Sequence, residues 1–132
     1  MAGVGHRLGG VAAKRILFID NRPEHFGQPV LRLQLAGYEV DQVDNGAAGL
    51  RKLRADHYDL LILDAELPEE DGWGVLKDVA DDQSLEDLKV IVLMAAKGET
   101  GKLLLVPVDA ELRRPFALGE LLDTVDRVIG KP

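Results

Sequence analysis

The chain has 132 residues, enough for one domain with a sizeable core and too few for two. Of these, 46% are hydrophobic and 30% charged, and the net charge of −7 argues against a basic, nucleic-acid-binding surface. The absence of cysteine excludes a disulfide framework, thiol chemistry and a Cys-based zinc site, no apolar run approaches the ~18 residues of a membrane span, and a cytoplasmic location is expected.

In chain order, M-A-G-V-G-H-R-L-G-G-V-A-A lacks the apolar block of a signal peptide. Its glycines and mixed polarity predict a flexible lead-in over residues 1–13, ahead of a folded domain over 14–130. Arg15–Asp20 (R-I-L-F-I-D) reads as a buried strand. In the next helix, Gly27 and Pro29 delay the regular part, which is expected to start at Pro29 and close at Gly37. Tyr38–Val43 alternates in polarity and suits an edge strand. Asn45 is a candidate N-cap for a helix carrying Ala48, Leu50 and Leu53.

Tyr58–Asp64 (Y-D-L-L-I-L-D) is the most apolar strand, as in a parallel sheet covered on both faces. Pro68 stiffens its exit and Asp71-Gly72 reads as a turn, followed by a helix over Gly72–Ala80 with Trp73, Leu76 and Val79 at helical spacing. Lys89–Ala95 is a further strand. In K-G-E-T-G-K-L-L-L-V-P-V, Gly101 and Pro107 leave room for one or two helical turns, so the fourth helix is expected to be short or irregular. Ala110–Arg113 is a weaker strand. Ala117–Ile129 is the clearest helix, with Leu118, Leu121, Leu122, Val125, Val128 and Ile129 on one stripe.

Strands alternating with helices imply right-handed crossovers and a three-layer, doubly wound, five-stranded parallel sheet. Functional groups in such sheets gather beyond the carboxyl ends of the strands, where Asp20, Asp64 and Met94 fall. Either aspartate alone reads equally well as a cap for the helix that follows. Two of them on adjacent strands repel and call for a cation or a proton, and oxygen ligands favour Mg²⁺ or Ca²⁺. His6, His25 and His57 match no metal spacing.

Three motifs, I-L-F-I-D-N, L-D-A-E-L-P-E-E-D-G-W and L-R-R-P-F, resemble the receiver domains of bacterial response regulators, and the resemblance runs from about Lys14 to Ile129. It implies a flavodoxin-like receiver fold, a role in two-component phosphorelay signalling, and Asp64 at the position of the aspartate phosphorylated by a histidine kinase. Asp20 matches the first acid after the opening strand. Asn21 stands where a second, Mg²⁺-contacting acid belongs, Met94 where a Thr or Ser belongs, and Arg114 where a Lys belongs.

Each departure has a physical meaning. Asn21 offers a carbonyl oxygen without a formal charge, so Mg²⁺ should bind weakly. Met94 has no hydroxyl for a phosphoryl oxygen. Arg114 keeps the charge, is planar, and can grip a carboxylate with two bonds in place of a metal. Glu66 restores one charge only if it turns inward rather than to solvent.

Glu111 occupies the position of the family's switching aromatic. Leu103 and Leu104, with Leu105, Val106 and Val108, read either as core or as a docking patch for a partner. Three readings follow. The first is a pseudo-receiver that is not an enzyme and acts through protein partners, with weak or absent phosphorylation at Asp64. The second is a conventional Mg²⁺-dependent phosphoacceptor served by a histidine kinase. The third is a phosphatase using Asp64 and Glu66.

Overall fold

The computed structural model describes residues 7–8, 11–22, 27–65, 69–95 and 106–132. Within the stretch expected to be a flexible lead-in, β1 (Arg7–Leu8) and β2 (Val11–Ala12) pair antiparallel. The main sheet comprises β3 (Arg15–Ile19), β4 (Glu39–Val43), β5 (Leu60–Asp64), β6 (Lys89–Met94) and β7 (Ala110–Arg113). All five are parallel, in the order β4-β3-β5-β6-β7, the arrangement of flavodoxin-like doubly wound sheets.

The continuously apolar β3, β5 and β6 take the centre, because only there are both faces covered. The pleat sends successive side chains to opposite faces. Leu17, Ile19, Leu61, Leu63, Val92 and Met94 pack with Leu53, Val75 and Leu76 of α2 (Gly46–Ala55) and α3 (Glu69–Asp81). Ile16, Phe18, Leu60, Ile62, Ile91 and Leu93 pack on the other face with Leu33, Leu121 and Val125 of α1 (Gly27–Ala36) and α4 (Leu118–Ile129). Each such fully buried side chain is worth about 1.5–3 kcal/mol of hydrophobic transfer, which makes the central strands the rigid base for whatever lies at their ends.

Local chemistry explains the helix limits. Asn45 caps α2 by accepting a hydrogen bond from the Ala48 N–H at 2.8 Å. Gly37 closes α1 at φ +112°, a conformation that glycine adopts at little cost. Two expectations need correction. The first helix begins at Gly27, not Pro29; proline fits its first turn because N–H groups there have no intrahelical partner. α3 begins at Glu69, so Asp71 and Gly72 are helical rather than a turn. The short fourth helix expected between β6 and β7 falls on residues outside the described ones.

The far end of α4 is fastened to the start of the sheet. Lys14 Nζ donates to the Ile129 carbonyl, and the Tyr38 hydroxyl meets Asp126 and lies 2.8 Å from the Gly130 carbonyl.

Candidate functional site

Asp20 follows β3 directly and Asp64 is the last residue of β5, and these strands are neighbours. Both acids are 0% exposed. Their burial follows from position: each chain must leave the sheet between the covering helices, so its first polar residue is still below the rim. Asp20 is oriented twice, by its own N–H donating to the Val43 carbonyl at 3.1 Å and by the Arg22 N–H donating to its Oδ1 at 2.9 Å.

Arg114 reaches the same spot from the far side of β6. Its N–H donates to the Met94 carbonyl at 2.9 Å, which fixes the backbone at the end of β7. Its Cζ lies 5.9 Å from the centre of the Phe116 ring, within cation–π range. From there Nη1 donates to Asp64 Oδ1 at 3.2 Å and Nη2 to Asp20 Oδ2 at 3.4 Å. The guanidinium therefore forks across two carboxylates, one nitrogen to each, instead of gripping Asp64 alone with both. Among the described residues, Asp20, Asp64 and Arg114 sum to a formal −1 around two fully buried carboxylates, where unbalanced charge is costly.

The pleat explains what else belongs here. Leu63, Ile19 and Met94 point to the α2–α3 face, so Asp64 and Asp20 fall on the opposite one. Met94 is 3% exposed and packed in the core of that α2–α3 face. Ala95, one residue later, takes the acids' parity. Counting from motif spacing alone selects Met94; the strand is apolar throughout, so only the pleat of the folded sheet separates Met94 from Ala95. Neither residue carries a hydroxyl.

Asn21 is exposed at the rim beside Asp20. Glu111, at the position of the family's switching aromatic, lies opposite Val92 on the outer strand β7 and is exposed. Val106 is buried and Val108 packs on the α2–α3 core. Glu66, Leu103 and Leu104 lie outside the described residues, as do His6, His25 and the side chain of Trp73; His57 is exposed.

In kind, the donors at this rim suit a hard divalent cation: two carboxylates and an amide carbonyl. Among the described residues, no group of three or more His or acidic side chains could hold a metal ion. A cation entering here would bind oxygens on the same two carboxylates that Arg114 holds.

Comparison with known proteins places this geometry. Residues 16–126 match the family described as the response regulator receiver domain. The transcriptional activator protein IrlR of Burkholderia pseudomallei is 30% identical over 118 residues, covering 87% of this chain and 50% of that protein. The chain thus spans about half the length of that relative. The polar-differentiation response regulator DivK of Brucella ovis is 28% identical over 100 residues, 74% of this chain and 81% of that protein. Among solved structures, the receiver domain of the sensor histidine kinase PA1611 of Pseudomonas aeruginosa superposes with a TM-score of 0.80 at 25% identity, over 91% of this chain and all of that one. That crystal structure has a magnesium ion coordinated in its active site cleft.

Proposed function

The chain belongs to the response regulator receiver family, and on that premise we propose that it serves two-component signalling as a protein-interaction module whose acidic site is held closed by Arg114. The observation that carries this reading is the single guanidinium bonded to both buried acids. A receiver that takes a phosphoryl group needs a carboxylate oxygen of Asp64 free to attack phosphorus and a cation to gather the phosphoryl oxygens. Here the guanidinium occupies one oxygen of each acid, Asn21 brings no charge, and neither Met94 nor Ala95 offers a hydroxyl. Mg²⁺ has to compete with Arg114 for the same carboxylates, so it binds weakly and Asp64 is phosphorylated slowly or not at all.

Function then lies in what the domain touches rather than in chemistry it performs: a histidine kinase or an effector is the expected partner, and the chain is not an enzyme. The receiver unit is taken to run over residues 14–130, and a cytoplasmic site of action follows from the pathway. No described helix is long and apolar enough to cross a membrane.

A second reading has its own support. Asp64 ends its strand as a phosphoacceptor would, Arg114 retains a positive charge within reach of it, and the PA1611 receiver, similar in fold, holds magnesium. In that case an oxygen of Asp64 attacks the phosphorus of the donor, the bond from phosphorus to the donor group breaks, and an acyl phosphate remains on Asp64.

Incubation with Mg²⁺ and acetyl phosphate, followed by intact mass measurement, separates the two. No phosphate-sized gain is expected. A gain that disappears in Asp64→Asn would overturn the first reading in favour of the second.

A further inference from the structure

β4 is an outer strand, so only one of its edges is bonded within the sheet. Its register with β3 is bracketed by two bonds, Glu39 N–H to the Lys14 carbonyl at 2.9 Å and Asp20 N–H to the Val43 carbonyl at 3.1 Å. In a parallel ladder alternate residues turn both backbone groups toward the same neighbour. Glu39, Asp41 and Val43 therefore face β3, while Val40 and Gln42 present their N–H and C=O groups to the open edge. No described residue bonds these four groups.

A groove of about 580 Å³ lies at the start of β4 and includes Val40 in its lining. Gln34 of α1, Lys52 of α2, Asp56 and the run from Tyr38 to Asp41 line it. Its charged lining comprises Glu39, Asp41 and Asp56 against Arg15 and Lys52, a net −1 on a chain that carries −7. Arg15 is committed to the first two acids, at 2.9 and 3.2 Å.

Charge decides which occupant this edge admits. A second copy of the chain paired edge to edge would bring Glu39 and Asp41 against their own equivalents, an arrangement that sheets use to prevent self-association. A strand bearing lysine or arginine meets Arg15 and Lys52 as well, but the described charged lining still sums to −1 and favours a basic occupant over an acidic one. We propose that the β4 edge takes up an extended, basic segment of a partner protein, which adds a sixth strand to the five-stranded sheet through Val40 and Gln42. This docking is independent of any chemistry at Asp64.

The test uses the full chain and the capped peptide T-K-V-K-V-K-T, followed by amide-resolved NMR titration. Resonance shifts centred on the Val40 and Gln42 amides are expected. Methylating alternate peptide nitrogens, which removes the donors without changing charge, should weaken binding by about tenfold or more, as should the acidic analogue T-E-V-E-V-E-T. Gln42→Pro removes an edge donor that the ladder does not use, and it should abolish binding with an unchanged Tm. If that variant does not fold, the methylated peptide decides on the native chain. Equal binding by the methylated peptide, shifts confined to other surfaces, or protection of Val40 and Gln42 that grows with protein concentration in the absence of peptide would each overturn the proposal. The last result would make a second copy the occupant.

Discussion

Arg114 Nη1 stands 3.2 Å from Asp64 Oδ1, although 50 positions separate the two in sequence. The carboxylate has no exposed surface and the arginine side chain retains 20% of its own. The pair sits where attraction is little screened, and Arg114 also holds Asp20 at 3.4 Å, so its loss removes a cation from two buried acids at once.

Removing the cation should therefore cost more than a surface ion pair would. Arg114→Ala is expected to destabilise the fold by about 3–5 kcal/mol, the range for breaking a buried pair. Mg²⁺ should recover part of this loss, because a divalent ion can then take the vacated carboxylates. Urea denaturation with and without Mg²⁺ checks both outcomes, and equal stabilisation of the native and variant chains by Mg²⁺ would contradict competition between the metal and Arg114.

Asn21→Asp adds one negative charge beside Asp20 without touching the arginine. Mg²⁺ should bind more tightly by calorimetry, since hard cations follow ligand charge. Identical affinity in the two forms would show that the amide is not what weakens the site.

Two helical glycines should respond with opposite signs to the same substitution. A Cβ on Gly74 in α3 meets nothing within 4 Å, so Gly74→Ala should add stability of roughly 0.5–1 kcal/mol from helix propensity. A Cβ on Gly49 in α2 falls 2.2 Å from Ile19 Cδ1 and 3.0 Å from Ile19 Cγ1, and Ile19 is fully buried. Gly49→Ala should cost about 1–3 kcal/mol through overpacking, and Tm shifts of the same sign at both positions would refute this.

Alkaline pH should weaken the fold through two tyrosines. Burial raises the Tyr38 hydroxyl above its ordinary pKa, and its hydrogen bond to Asp126 adds to the effect. Tyr58 behaves alike through burial and its 2.6 Å bond to Asp41. The folded chain thus binds each proton more tightly than the unfolded one. Their contribution is intact below the unfolded value of about 10 and is lost as pH rises past it. Tyr38→Phe and Tyr58→Phe should flatten the alkaline fall in Tm, and an unaltered fall in the double variant would count against both assignments.

The fold was legible where hydrophobic pattern and local chemistry agree. I-L-F-I, L-L-I-L and V-I-V-L could only be central strands, because β3, β5 and β6 bury both faces. The alternation in Y-E-V-D-Q-V marked β4 as an edge, and Asn45 and Gly37 end their helices by mechanisms that depend on a single residue type. The helix starts were less legible. Proline and glycine signals near Pro29 and Gly72 read as breaks, yet the first turn of a helix tolerates both for want of intrahelical bonds.

For the site, the chain order of Asp20, Asp64 and Arg114 was enough to name its members, since strand ends in a doubly wound sheet share one rim. Sequence by itself determined the charges available there: two acids, one guanidinium, and an amide in place of a third acid. Only the tertiary structure decided that the guanidinium divides itself between both acids, and that the pleat turns Met94 inward. Those outcomes depend on where strands far apart in sequence end relative to one another, by amounts smaller than a side chain. Packing across the two faces of the sheet sets such offsets, and no local pattern of residues encodes them.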